Sequence, residues 1–140
     1  MDILDINVWL ALVDENHLHH ASAARYWRGR HHSPLAFTRV SMLGLLRLST
    51  LPRVLSRALS HAEAWDVYQR FIALPNIKVL AEPAGLDSHF QALTIAPALP
   101  HRLWTDAYLA AFAIAGGHRL VSFDADFARF PGLDFLHLKP

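Results

Sequence analysis

Short apolar runs alternate with longer amphipathic stretches along this chain. Apolar and β-branched residues, typical of buried strands, fill the runs at 3–6, 77–80 and 118–123, and shorter extended pieces are predicted at 34–37 and 136–138. Between these runs, apolar residues recur three and four positions apart, which predicts helices over 8–13, 17–30, 38–49, 60–74, 85–94 and 103–115. Because strands separated by helices pair in parallel, the pattern predicts a three-layer α/β/α fold with a central parallel sheet.

Capping signals mark where several of these helices begin and end. Asn7 is predicted to cap the helix over 8–13, because its side-chain oxygen can accept a backbone N–H of the first turn. Ser60 and Glu63 have the three-residue spacing of a capping box, which predicts the start of the helix over 60–74. Gly116 and Gly117 follow the 103–115 helix and are predicted to end it.

Length and composition limit the class of protein. The chain has 140 residues, 53% of them hydrophobic, which suits one domain spanning 1–140. No apolar stretch reaches the roughly 18 uncharged residues of a membrane span, and the N-terminus carries acids where a secretory signal is basic. We therefore expect a cytoplasmic protein with no membrane association. The absence of cysteine excludes disulfides, thiolate zinc sites and cysteine nucleophiles.

Four aspartates are predicted to meet at one edge of the sheet. Asp5 lies at the end of the first strand, and Asp124 and Asp126 follow the 118–123 strand. Asp106 lies in the first turn of the helix before that strand, and the two run antiparallel, so the helix begins near the carboxyl end of the strand. Each aspartate also has a structural explanation, in a turn for Asp5 and Asp124 and at a helix dipole for Asp106.

The 103–115 helix weakens the structural explanation of Asp106. This segment contains no other charged residue and is apolar on every face, so we expect it to be buried. A buried carboxylate needs a compensating cation, since an isolated buried charge costs many kcal/mol. Several carboxylates without cysteine favour Mg²⁺ or Mn²⁺, ions that activate water and neutralise phosphate charge in phosphodiester hydrolysis. Whether one or two ions bind stays open.

Three segments resemble the acidic motifs of PIN-domain ribonucleases. They are the Asp5-Ile6-Asn7 opening and the segments at 105–111 and 120–127, and the likeness is greatest to the VapC toxins of bacterial toxin–antitoxin pairs. The resemblance covers essentially the whole chain and implies a Mg²⁺-dependent endoribonuclease that cleaves RNA, often structured RNA such as tRNA. It also implies a homodimer that is silenced by a cognate VapB-type antitoxin.

The resemblance assigns roles to six residues of this chain. It implies that Asp5, Asp106 and Asp124 are catalytic and bind metal, and that Asp126 is an auxiliary metal ligand. It also implies that Asn7 and Ser122 support these acids.

The chain departs from the family at one position. The family usually has another acid in the helix after the second strand, and residues 38–47 contain none. This leaves open a catalytically weak or inactive PIN-like module that binds RNA or protein. A phosphatase-type hydrolase with an aspartate nucleophile is a third alternative, but it requires an Asp-x-Asp motif and a dedicated lysine, and the chain has only Lys78 and Lys139.

Basic residues are concentrated in the middle of the chain. The net charge is only +1, yet residues 16–62 contain seven arginines and no acid. Such a segment predicts an electrostatic surface for a polyanion. Arg39 and Arg47, on the helix nearest the proposed acids along the chain, are predicted to contact substrate phosphate or acidic groups of the antitoxin.

The histidines and tryptophans have simpler interpretations. Five of ten histidines cluster at positions 17, 19, 20, 31 and 32, without the glutamate of an HExxH zinc motif. We expect them to face solvent near an RNA surface or to contact a partner. Core packing is predicted for all four tryptophans, Trp9, Trp27, Trp65 and Trp104.

Overall fold

A computed structural model describes residues 1–30, 33–95 and 98–140. The strands are β1 (Asp2–Leu4), β2 (Leu35–Phe37), β3 (Ile77–Val79), β4 (Arg119–Ser122) and β5 (Asp134–His137). The α-helices are α1 (Ile6–Val13), α2 (His20–Arg30), α3 (Arg39–Ser49), α4 (His61–Ile72), α5 (Leu86–Ile95) and α6 (Trp104–Gly116). Two 3₁₀ turns, His101–Leu103 and Ala125–Arg129, flank α6 and β4.

The five strands form one parallel sheet in the order β3-β2-β1-β4-β5. Neighbouring residues of a strand point to opposite faces, so Ile3 belongs to the apolar cluster that includes α6, and Leu4 to the cluster that includes α1, α3 and α4. Leu120 and Val121 divide in the same way. Helices therefore cover both faces, and the predicted three-layer α/β/α architecture is confirmed.

Two predicted helix starts are wrong. Asp5, not Asn7, caps α1, because its Oδ1 accepts the N–H of Ile6 at 2.7 Å and the helix begins one residue earlier than Asn7. The second helix begins at His20 rather than at 17, since the preceding residues form turns in which the Asp14 carboxylate accepts the N–H of Asn16. The predicted capping box of α4 is confirmed in both directions.

The tryptophan prediction is correct in part. Trp9 is fully buried and stacks on Phe37 with ring centroids 3.8 Å apart, and Trp27 is half-buried. Trp65 is 49% exposed and Trp104 46% exposed, so core packing is wrong for both. Trp65 lies on the outer side of the amphipathic helix α4, where helical spacing alone does not separate the buried face from its margin, and Trp104 lies in the exposed first turn of α6.

A polar cluster closes the amino edge of the sheet. Asp2, the first residue of β1, accepts hydrogen bonds from Tyr26 at 2.6 Å and from Arg119 at 2.9 and 3.1 Å, and pairs with Arg30 at 3.0 Å. Asp2 is buried, and three donors satisfy its charge. Within the described residues, no helix is long and apolar enough to cross a membrane.

Candidate active site

Asp5 is held rigidly at the carboxyl end of β1. It is only 7% exposed, and each carboxylate oxygen accepts a hydrogen bond: Oδ1 from the N–H of Ile6 and Oδ2 from the hydroxyl of Ser122, both at 2.7 Å. Burial raises the pKa of Asp5 to about 6, although the hydrogen bonds from Ser122 and Ile6 oppose this rise. The nearby Asp124 charge raises it further.

Ser122 joins the first and last acidic motifs. This last residue of β4 is fully buried, and its hydroxyl donates to Asp5 while accepting the side-chain N–H of Asn7 at 3.1 Å and the backbone N–H of Asp124 at 2.9 Å. Asn7 also accepts the N–H of Phe123 at 3.4 Å. The two residues predicted to support the acids therefore lie between them and orient them.

Asp124 and Asp126 lie together just beyond β4. Asp124 caps the following 3₁₀ turn, and its Oδ1 accepts the N–H of Asp126 at 2.8 Å. This is the Asx-type turn that the sequence allowed as a structural explanation. The turn leaves the outer oxygen of Asp126 to pair with Arg102, whose Nη1 lies 2.7 Å away.

Asp106 faces the other three aspartates from the first turn of α6. Its side chain forms no hydrogen bond or ion pair with any described residue. Burial, followed by the charges of Asp5, Asp124 and Asp126, raises the pKa of Asp106 to about 7, and Arg102 offsets only part of this rise. The four aspartates therefore form one electrostatic unit, as their positions in the sequence predict.

The carboxylates are neighbours but do not form a closed ligand shell. Among residues 1–30, 33–95 and 98–140, no three or more His, Asp or Glu side chains are arranged to enclose a metal ion. Mg²⁺ differs from structural zinc in that it keeps several waters and takes only one or two protein carboxylates. Four acidic side chains with two raised pKa values, and Arg102 as the cation paired with them, match the donor chemistry of such an open site.

Arg102 is a site residue that the sequence analysis missed. It lies in the 3₁₀ turn before α6, with its side chain 66% exposed. Its pKa is raised by the hydrogen bond and charge of Asp126 and also by the charges of Asp124 and Asp106. A signal was present in the sequence, since Arg102 precedes Asp106 by four residues and helical spacing places such residues on one side.

The two predicted substrate-binding arginines, Arg39 and Arg47, lie at different distances from the carboxyl edge of the sheet. Arg39 is the first residue of α3, exposed at the same carboxyl edge as the aspartates. Arg47 lies eight residues further along, about 12 Å down the helix axis and away from that edge, beside a groove lined by Leu43 and Trp65. A phosphate contact by Arg47 stays a prediction.

The basic middle segment is not one continuous surface. Arg30 pairs with Asp2 at the amino edge, and Arg57 pairs with Glu63 at 2.9 Å. Arg28, in the last turn of α2 with Arg30, also lies toward the amino edge. Because Arg28 and Arg30 lie toward the amino edge, only part of the seven charges of residues 16–62 can serve a ligand at the carboxyl edge.

The histidines of the 17–20 segment pack against the protein. His19 stacks on Phe123 at 4.4 Å, the His17 Nδ1 accepts the N–H of His19 at 3.1 Å, and the His20 ring bonds the carbonyl of Ala11 at 2.7 Å. Burial, and then the charge of His19, lower the pKa of His17. All three are partly buried, so they face solvent less than expected, and the alternative expectation of a partner contact stays a prediction. The other two members of the predicted cluster, at 31 and 32, lie outside the described residues.

Comparisons with known proteins agree with this geometry. The family model described as PIN domain matches residues 3–133. Ribonuclease VapC41 of Mycobacterium tuberculosis is 38% identical, over 96% of both chains. The solved VapBC2 of Rickettsia felis, bound to a DNA fragment of its promoter, superposes with a TM-score of 0.71 at 14% identity, covering 99% of this chain and 98% of that one. M. tuberculosis VapC20, described as a toxin that cleaves the sarcin–ricin loop, gives 0.70 at 16% identity, covering 95% and 98%.

Proposed function

The chain belongs to the PIN domain family, in which it is a VapC-type ribonuclease, and from this premise we propose that it hydrolyses structured RNA with Mg²⁺ bound at its aspartates. The observation that carries the proposal is the state of Asp106. This half-buried carboxylate has no hydrogen bond or ion pair within the described residues and faces three further acids. Such a group is stabilised when a divalent cation binds beside it.

The four aspartates have different proposed roles in binding the cation. Asp5, Asp106 and Asp124 would hold it, some directly and the others through waters that the ion retains, with Asp126 as an auxiliary ligand and Mn²⁺ as an alternative ion. A bound ion would acidify a water molecule and offset the charge that develops on the phosphate oxygens. Ser122, itself bonded by Asn7, holds the Asp5 carboxylate and the backbone of Asp124 in place, so that little reorganisation is needed when the substrate binds.

Two arginines are placed to hold the RNA backbone. Arg102 uses one Nη atom to pair with Asp126, and its exposed guanidinium retains donors for a phosphate oxygen. Arg39 lies at the same edge, on the side of β2, and has no acidic partner among the described residues. A strand of RNA that contacts both would pass over the four aspartates.

This function implies a cognate VapB-type antitoxin and a second copy of the chain as partners. An apolar groove of about 310 Å³ between α3 and α4 supports such contacts, with Leu43 59% and Trp65 49% exposed beside it. Light scattering should give a mass of twice 15.7 kDa for the chain alone and a larger complex with the product of the adjacent reading frame. A monomer that ignores that product would contradict the partner proposal.

Controlled expression tests the ribonuclease. Induction of the wild-type chain should arrest growth and produce new RNA 5′ ends at defined sites, detected by sequencing of RNA ends. Asp106→Asn should produce neither. Asp134→Asn is the matched control, because Asp134 is an exposed aspartate at the amino end of β5, and it should behave as wild type. Equal RNA ends from Asp106→Asn and wild type would overturn the proposal.

A module that binds RNA or protein without cleaving it is the second candidate. It is favoured by one observation, that no three acidic or histidine side chains in the described ranges enclose an ion. Expression would then leave RNA ends unchanged, while RNA or protein would still bind.

A further inference from the structure

Besides the groove between α3 and α4, the protein has a cavity near the carboxyl edge of the sheet. It has a volume of about 290 Å³ and lies between the ends of β2 and β3 and the first half of α6. Leu80 and Phe112 supply apolar walls, and Arg39, Glu82 and Tyr108 supply the polar groups. Neither Glu82 nor Tyr108 belongs to the group of four aspartates or to the residues that support them.

The cavity lies one or two strands away from the acidic site along the same edge. In the sheet order, β2 is the neighbour of β1 and β3 is the next strand. Strands are about 4.8 Å apart, so the ends of β2 and β3 lie about 5 and 10 Å from Asp5. Tyr108 follows Asp106 by two residues on α6, about 3 Å along the helix axis and about 200° around it, so the cavity and Asp106 lie on opposite sides of the start of this helix. A nucleotide that follows the carboxyl edge past the end of β2 can reach the cavity from the acidic site.

Hydrogen bonds orient the polar groups of the cavity and leave acceptor and donor atoms available for a ligand. The Tyr108 hydroxyl donates to Oε1 of Glu82 at 2.7 Å, which fixes the carboxylate, and Oε2 accepts nothing from the described residues. Among the described residues, the Arg39 side chain donates a hydrogen bond only to the sulfur of Met42, at 3.5 Å, and no ion pair joins it to Glu82. The cavity thus presents a fixed anionic acceptor and a separate cation across apolar walls.

We propose that this cavity binds an unpaired guanine nucleotide of the RNA substrate, with Glu82 reading the base and Arg39 holding its phosphate. Guanine is the base with two adjacent donors, N1–H and the N2 amino group, on its Watson–Crick edge, and a carboxylate accepts such a pair. Unpaired RNA bases splay out and are recognised in this way, by their edges and by aromatic side chains such as the partly exposed Tyr108. The inference rests on the proposed ribonuclease function and names its specificity.

Cleavage of a randomised RNA pool tests the assignment of Glu82. Wild-type protein should enrich guanine at one position next to the cut. Inosine, which lacks the N2 amino group, should lower kcat/KM about tenfold at that position, the value of one hydrogen bond to a charged group. Glu82→Gln should lose the guanine preference and cleave guanine and inosine substrates equally. Asp87→Asn, an exposed acid on α5, is the control and should keep the wild-type profile.

Two further measurements keep the result decisive. Tyr108→Phe retains the ring but frees the Glu82 carboxylate, so it should reduce the discrimination between guanine and inosine without abolishing it. Fluorescence anisotropy with RNA trinucleotides in EDTA measures the same discrimination without cleavage. An unchanged guanine preference in Glu82→Gln, or no preference for guanine in wild-type cleavage and binding, would overturn the inference and leave the ribonuclease intact. Guanine-selective binding without any cleavage would support the cavity and contradict the proposed function.

Discussion

Asp5 and Asp106 share one edge of the sheet but differ in how the protein accommodates their charge. Asp5 is the more buried, yet both of its oxygens accept hydrogen bonds, which limits the rise of its pKa to about 6. Asp106 is less buried, has no such donors within the described part of the chain, and faces three acids, so its pKa rises to about 7. The number of hydrogen-bond donors to each carboxylate, more than its burial, decides which of the two aspartates requires a cation to balance its charge.

These pKa values predict how stability depends on pH. Both folded pKa values lie above the ordinary 3.8, so the unfolded chain releases these protons first and the metal-free fold loses stability as pH rises from about 4 to about 7. Asp106→Asn removes one of the two groups. Because Asp106 is partly exposed and water screens its charge, the variant should gain only about 1 to 2 kcal/mol over wild type above pH 7.

Urea unfolding of both proteins in EDTA, at pH 5 and pH 8, measures this difference. Any other pH dependence of stability is common to both proteins and cancels in the comparison. Added Mg²⁺ should stabilise wild type and leave Asp106→Asn nearly unchanged. A wild-type protein that is more stable than Asp106→Asn at pH 8 in EDTA would show that repulsion at this edge has been misassigned.

Signals confined to a few residues predicted the elements well, and signals that depend on tertiary neighbours did not. The α4 capping box was predictable because Ser60 and Glu63, three residues apart, each bond the other's backbone N–H. Whether Asp5 or Asn7 caps α1 was not, since Asn7 is drawn away by Ser122 and Phe123, more than 100 residues later. The same limit explains Trp104, whose helix is apolar all round but whose first turn lies at the surface.

The packing of α3 on α1 gives a physical reason for the acid missing from residues 38–47. A Cβ added at Gly44 would lie 2.2 Å from Cδ1 and 2.7 Å from Cγ1 of Ile6, the residue after Asp5. Ile6 therefore fills the space that a longer α3 side chain would need to approach the first aspartate.

A double-mutant cycle tests this contact. Gly44→Ala should destabilise the fold by about 1 to 3 kcal/mol through overpacking, despite the higher helix propensity of alanine. In the background of Ile6→Ala, which removes the clashing atoms, the same change should be neutral or stabilising in urea unfolding. Equal effects of Gly44→Ala in both backgrounds would mean that Ile6 does not occupy this space.

At the scale of the whole molecule, the net charge of +1 conceals a spatial separation of acidic and basic groups. Four aspartates meet at the carboxyl edge, where Arg102 pairs with Asp126, while Asp2, Arg30 and Arg119 form a closed cluster at the amino edge. The sequence located the acidic edge, because strand ends and order determine it. It did not divide the arginines between edges, because that depends on the direction in which α2 and α3 run.

The salt dependence of RNA binding tests this division. In an Asp106→Asn background, which is expected to prevent cleavage, Arg39→Ala should lower the slope of log affinity against log salt by about 1. Arg102→Ala should do the same. Arg28→Ala is the matched control from the amino edge and should leave the slope unchanged. A loss in Arg28→Ala equal to that in Arg39→Ala would place the RNA elsewhere.

The central claim is that the four aspartates hold a divalent cation with which the protein cuts RNA. The most direct measurement is the cleavage of a defined structured RNA by purified protein in EDTA, and then after Mg²⁺ is restored in excess. We predict no cleavage in EDTA, recovery with Mg²⁺ or Mn²⁺, and no cleavage by Asp106→Asn under any of these conditions. Cleavage that continues in EDTA, or that Asp106→Asn performs at the wild-type rate, would contradict the claim.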